Sequence, residues 1–119
     1  MPNQIVWCDI PVKDLDRAIK FYSAALGQAV SKEAFGEMKF GLLPDAHTGV
    51  SGCLVLGDAK PSTDGPLIYL NCKDRLDDAI GTVEKNGGKV LQPKHQIGPH
   101  GFRAVILDSE GNRIALHST

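Results

Sequence analysis

The sequence predicts an α+β fold made of paired βαβββ modules, and three observations carry that prediction. The chain ends in a hairpin, one strand-and-helix pattern occurs twice about sixty residues apart, and a stretch of turn residues divides the two copies. The hairpin is the run FRAVILDSEGNRIALH over 102–117. An apolar segment at 104–107 is followed by polar 108–112 (DSEGN) and by Ile114, Ala115 and Leu116, as two strands joined by a tight Gly-containing turn require.

Residues 5–12 (IVWCDIPV) are rich in β-formers and alternate only roughly, as a strand buried on much of both faces does. Asp14 can cap a helix in which Leu15, Ala18, Ile19, Tyr22 and Leu26 fall on one face, and Gly27 supplies the left-handed position that ends it. Short strands are expected at 29–35, 38–43 and 50–56, separated by Gly36-Glu37 and by the turn 44–49. The run GDAKPSTDGP at 57–66 is a linker by composition. The pattern then restarts with the strand 67–72 (LIYLNC), and Leu76, Ala79, Ile80 and Val83 make a second apolar helical stripe stopped at Asn86-Gly87-Gly88. The adjacent Asp77 and Asp78 are assigned to capping that helix, where carboxylates complement the dipole. Strands at 89–93, 102–107 and 113–117 complete the second copy. We therefore expect a single domain over 1–119, with module 1 at about 1–58, a linker at about 58–66 and module 2 at about 67–119.

Composition narrows the partners. With 13 Lys and Arg against 14 Asp and Glu, and no basic block, the chain has a formal charge of −1 and is not expected to bind nucleic acid. No apolar run approaches the roughly 20 residues that span a bilayer, so no membrane partner is expected. The opening Met-Pro-Asn-Gln lacks the basic and apolar regions of a secretory signal, which makes the cytoplasm the expected location. Cys8, Cys53 and Cys72 each sit in an apolar run and are expected to be reduced core thiols; a reactive thiol or an inter-chain bridge is the alternative.

The closing order of strand, Asp, two residues, Gly, Asn, a basic residue, Ile, one residue and Leu resembles the vicinal-oxygen-chelate superfamily of glyoxalases, bleomycin resistance proteins and dioxygenases. More narrowly, IVWCDIPVKDLDRAIKFYSAALG, the linker before LIYLNC, the run KVLQPKHQIGPHGF and EGNRIALHS are similar to the group described as enzymes related to lactoylglutathione lyase. The resemblance implies a glyoxalase-like incomplete barrel around one cleft, half of it from each module. It also implies a homodimer, because relatives cover their sheet edges and cleft mouths with a second chain.

In metal-using members of that superfamily, His, Gln or Glu ligands stand on the first and last strand of each module. The matching positions here are Trp7, Leu67 and Ala115, with a fourth somewhere in 51–54, where Cys53 is the one possible donor. An indole, an isobutyl group and a methyl cannot ligate a divalent ion, so we expect no metal and no cofactor. Residues two apart on a strand share a face, which sets Asp9 beside Trp7, Tyr69 beside Leu67 and His117 beside Ala115. Trp7, Asp9, Leu67, Tyr69, Ala115 and His117 are therefore the candidate ligand-binding residues of a mostly apolar pocket. The competing reading is that Trp7, Leu67, Tyr69 and Ala115 only fill the core and that His117 frays into solvent at the chain end.

The segment 94–101 (KHQIGPHG) holds His95 and His100 among turn residues, and a loop there can bring His100 to the cleft mouth or can simply be an ordinary surface loop. His47, in the turn PDAHTG, is expected to be solvated. Three functions remain open. One is an enzyme acting on a small carbonyl, glutathione-type or other polar metabolite, with His117 or His100 as base. Another is a non-catalytic protein that sequesters an antibiotic-type small molecule, although a charge of −1 attracts a cationic drug little. The last is a dimeric scaffold whose cleft its own side chains fill. Metal-assisted glyoxalase I chemistry is disfavoured, because it needs a Lewis acid at the developing oxyanion.

Overall fold

A computed structural model of the chain describes residues 3–119; the first two residues of module 1 lie outside it. Module 1 consists of β1 (Trp7–Pro11), α1 (Leu15–Leu26), β2 (Ser31–Phe35), β3 (Met38–Leu42) and β4 (Ser51–Val55). Module 2 repeats the order with β5 (Ile68–Asn71), α2 (Leu76–Val83), β6 (Lys89–Gln96), β7 (Phe102–Leu107) and β8 (Arg113–Ser118). The two sheets run β1-β4-β3-β2 and β5-β8-β7-β6. In each, the first and last strands of the module lie side by side in parallel, and the remaining pairs are antiparallel. Among the described residues no strand pairing joins the sheets, so the α+β fold is a pair of βαβββ modules forming an incomplete barrel. Among the described residues no helix is long and apolar enough to cross a membrane.

Helix α1 follows local chemistry closely. The Asp14 carboxylate accepts from the Arg17 amide at 3.1 Å, and Gly27 (φ 69°) returns its amide to the Ser23 carbonyl. Its buried face is Leu15, Ala18, Phe21, Tyr22 and Ala25, turned from the expected stripe because Phe21 packs inward while Ile19 and Leu26 stay partly exposed. For α2 the expectation of a carboxylate cap is corrected: Arg75 occupies the cap position without a side-chain bond, while Asp77 and Asp78 stand in the first turn, where their charges complement the dipole without capping the helix. Asp77 instead pairs with Lys94 at 3.2 Å.

Strand β6 runs on to Gln96, beyond the expected 93. It is an edge strand, and register shifts between Val90 and Gln92 and between Gln92 and His95 let it carry Pro93, whose missing N–H costs no ladder bond there. His95 thus sits on a strand, opposite Arg103, rather than in a loop.

One buried cluster draws on both modules. Ile10, Phe21, Tyr22 and Leu54 pack with Leu76, Val83, Ile106, Ile114 and Leu116 between the sheets and the two helices. The hairpin turn 108–112 locks this junction. Asp108 accepts from the amides of Glu110 and Asn112 and from the buried Tyr22 hydroxyl of α1, the last at 2.5 Å. Asn112 donates to the Pro11 carbonyl at 2.8 Å and accepts from the Ser62 amide at 3.2 Å, which also fastens the linker. The Asp and Asn of the closing motif are therefore structural, joining chain segments that sequence order keeps far apart.

Candidate functional site

Helices cover one face of each sheet and leave the other open. On module 1 the uncovered face presents Trp7 and Asp9, their β4 neighbours Ser51 and Cys53, and, through the pairing of β3, Leu42, Phe40, Met38 and Phe35. On module 2 it presents Tyr69 and Asn71, Ala115 and His117, and Val105 and Arg103. Strand periodicity and the register between strands place these residues together, since each row of register partners points the same way.

A cleft of about 770 Å³ opens between β1 and the start of β4 on one side and β5 on the other. Trp7, Leu67 and Tyr69 line it, with Ile5, Leu26, Leu43 and Val50 supplying further apolar wall. Asp9 stands just outside, where its carboxylate accepts from the Trp7 indole and the Cys53 thiol, each at 3.2 Å. Ala115 has no exposed surface, and it is buried with Val105 on the open face rather than in the main core. His117 lies beside Tyr69, ring centroids 6.0 Å apart, and is not part of the cleft wall. The candidates thus fall into a cleft group, Trp7, Leu67 and Tyr69, and two neighbours, Asp9 and His117, on separate sheets.

His117 is ordered in β8 rather than frayed. Its Nε2 lies 2.7 Å from the His100 carbonyl, an atom that can only accept, so Nε2 carries hydrogen and Nδ1 of the neutral ring keeps a free lone pair. His100 enters through that carbonyl; its residue is exposed in the turn Gly98–His100. His47 is exposed in the turn after β3. Arg103 was missed by sequence reasoning, although a lone charge in the otherwise apolar FRAVIL was an available signal. Its Nη1 donates to the Tyr69 phenol, and its Nε donates to His95 Nε2 at 3.0 Å.

The profile of the Glyoxalase/Bleomycin resistance protein/Dioxygenase superfamily matches residues 4–116. The chain belongs to that superfamily. A glyoxylase-like domain-containing protein from Didymella fabae is 33% identical over 96% of this chain and 92% of its own length. Among solved structures, a glyoxalase/bleomycin resistance protein from Albidiferax ferrireducens superposes with a TM-score of 0.76 at 18% identity, covering 98% of this chain and 99% of that one. The fosfomycin resistance protein FosX from Mesorhizobium loti superposes with a TM-score of 0.69 at 17% identity, covering 100% and 93%. At these identities the structural likenesses establish the fold.

As a member of the superfamily, the chain can be tested for the metal that other members hold. The positions that the sequence resemblance matches to ligands carry Trp7, Leu67 and Ala115, and the one donor near the fourth is Cys53. Burial, then the Asp9 carboxylate that accepts its hydrogen, pushes the Cys53 thiol up to about 11, so it stays protonated at neutral pH and is a poor ligand. Among the described residues no three His, Cys, Asp or Glu side chains gather to hold an ion. This donor set does not fit a divalent metal.

Proposed function

We propose that this glyoxalase-superfamily protein binds a small organic molecule in the cleft between β1 and β5 without a divalent ion, as a cytoplasmic homodimer. The cleft carries the reading. It is open, of a size that suits a small metabolite, and mostly apolar, with an indole and a phenol at its rim. An open cleft speaks against a scaffold that fills it with its own side chains. The three cysteines, all free, suit a reducing compartment. Likeness in fold to a fosfomycin resistance protein keeps an antibiotic among the ligands worth trying. A second reading, catalysis, is favoured by His117: its tether to the His100 carbonyl orients the ring and leaves Nδ1 available as a base beside Tyr69.

Trp7 is the single tryptophan and lines the cleft, so its fluorescence reports occupancy directly. In a screen of metabolites and antibiotics, a true ligand is expected to shift Trp7 emission and raise the melting temperature together, with or without chelator. A ligand that raises the melting temperature without touching Trp7, or a response that chelator abolishes and zinc restores, would overturn the proposal. For the catalytic reading, His117→Gln should abolish turnover of such a ligand while the Trp7 response persists.

A further inference from the structure

Arg103 stands within β7 on the open face of module 2, in register with His117 on one side and His95 on the other. Both of its hydrogen bonds go to neutral groups, the Tyr69 phenol oxygen and His95 Nε2. Because the guanidinium can only donate, His95 Nε2 must be bare; its proton is on Nδ1, which donates to the Pro93 carbonyl at 2.8 Å. The imidazole is thereby fixed as an acceptor and adds no negative charge. Among the described residues the ion pairs are Arg17–Glu110, Lys32–Asp16 and Lys94–Asp77, so no carboxylate balances Arg103. Arg103 is a half-buried residue whose charge has no carboxylate partner among the described residues.

Donors remain unspent. Nη2 of Arg103 has no hydrogen-bond partner among the described residues, and the Tyr69 hydroxyl, having accepted from Nη1, still has its own hydrogen to give. Tyr69 belongs to both environments: it is one of the residues that line the apolar cleft, and its hydroxyl is held by the guanidinium. With a whole-protein charge of −1 there is no general attraction for anions, so selectivity has to be local.

We propose that Arg103 and Tyr69 form a carboxylate-binding site, so that the ligand of the cleft is an amphipathic organic acid. Its apolar body lies against Trp7 and Leu67, and its carboxylate accepts from Arg103 Nη2 and the Tyr69 hydroxyl. This rests on the cleft reading above and adds the chemical class of the ligand. His117, beside the Tyr69 ring, stands next to the bound acid.

The test compares phenylacetate, 4-phenylbutyrate and hexanoate, each against its amide and its amine, and inorganic phosphate, using Trp7 emission and melting temperature on the intact protein. The acids are expected to bind roughly tenfold to a hundredfold tighter than their amides, the span of a charge-assisted hydrogen bond. Arg103→Gln should erase that preference, and Tyr69→Phe should reduce it. If Arg103→Gln fails to fold by circular dichroism, Tyr69→Phe carries the test, because it keeps the ring in the cleft and removes only a donor. Acid, amide and amine binding equally with a Trp7 response would overturn the carboxylate site and leave the cleft reading intact. An unchanged acid preference in folded Arg103→Gln, or phosphate binding as tightly as 4-phenylbutyrate, would also overturn it. No Trp7 response to any probe would sink the cleft reading, and the carboxylate site with it.

Discussion

Glu110 has no exposed side-chain surface and still carries a charge. Its Oε1 accepts from the amides of Lys13 and Asp14, both at 2.8 Å, and its Oε2 from Arg17 Nε at 2.7 Å and the Ser109 hydroxyl at 2.8 Å. Burial alone would raise its pKa, but the Arg17 guanidinium, those amides and the Ser109 hydroxyl outweigh burial and hold the group at about 2. The same group titrates near 4.5 when unfolded, so its contribution to stability is complete above about pH 4.5 and is lost as the pH falls through about 2. Arg17→Ala, which leaves the buried carboxylate on its remaining donors, is expected to lower the urea midpoint at pH 7. It should also move acid unfolding to higher pH, because Glu110 is then held less low. An acid midpoint that does not move would show that Arg17 is not what keeps the carboxylate charged. The thiols behave oppositely: burial, followed by Asp9 for Cys8, raises the pKa values of Cys72 and Cys8, which leaves both unreactive at neutral pH.

Among the elements, β1 and β4 set the cleft wall, and their parallel pairing depends on Gly52. A Cβ at Gly52 would meet the Cys8 carbonyl oxygen at 2.3 Å, a backbone contact that cannot swing aside. Gly52→Ala is therefore expected to force the strands apart at a cost of about 2 kcal/mol, as overpacking does. Trp7 is the register partner of Ser51, next to that contact, so its emission in the folded variant should change as well. Wild-type stability by chemical denaturation with unchanged Trp7 emission would show that the pairing tolerates the extra carbon. Helix α1 shows a different kind of dependence. Asp14 and Gly27 mark its ends in sequence and in space, whereas α2 begins at an Arg75 that caps nothing and instead reaches the Ala25 carbonyl of the first module at 2.5 Å.

At the scale of the molecule, the open faces expose more apolar surface than a lone chain is expected to keep. Phe35 and Met38 are 79% and 53% exposed, and Trp7 and Tyr69 are 40% and 46% exposed. Since Phe35, Met38 and Trp7 share one face of the first sheet, a second copy that covers it would bury them together and roof the cleft. Light scattering at micromolar concentration is expected to give twice the monomeric 12.8 kDa, and Phe35→Lys should shift the protein toward the monomer. A wild-type mass of 12.8 kDa would rule out the dimer.

The sequence by itself determined the order of elements, the twofold βαβββ repeat, the ends of α1 and the closing hairpin. These follow from short-range physics: apolar period, turn chemistry and a cap at each helix end act within a few residues of one another. Strand parity also groups Trp7 with Asp9, Leu67 with Tyr69 and Ala115 with His117, because alternation is local. Only the tertiary structure decided which face stays open, that Ala115 is shut off from the cleft while Tyr69 rims it, and that Glu110 and Asp108 clamp the first helix rather than serve a site. It alone brought Arg103 to Tyr69 and His95, residues on β7, β5 and β6. Those contacts depend on the register between strands and on the bulges that shift β6, and register is set when the hydrophobic faces of both modules are buried together, a long-range event with no local signature in the chain.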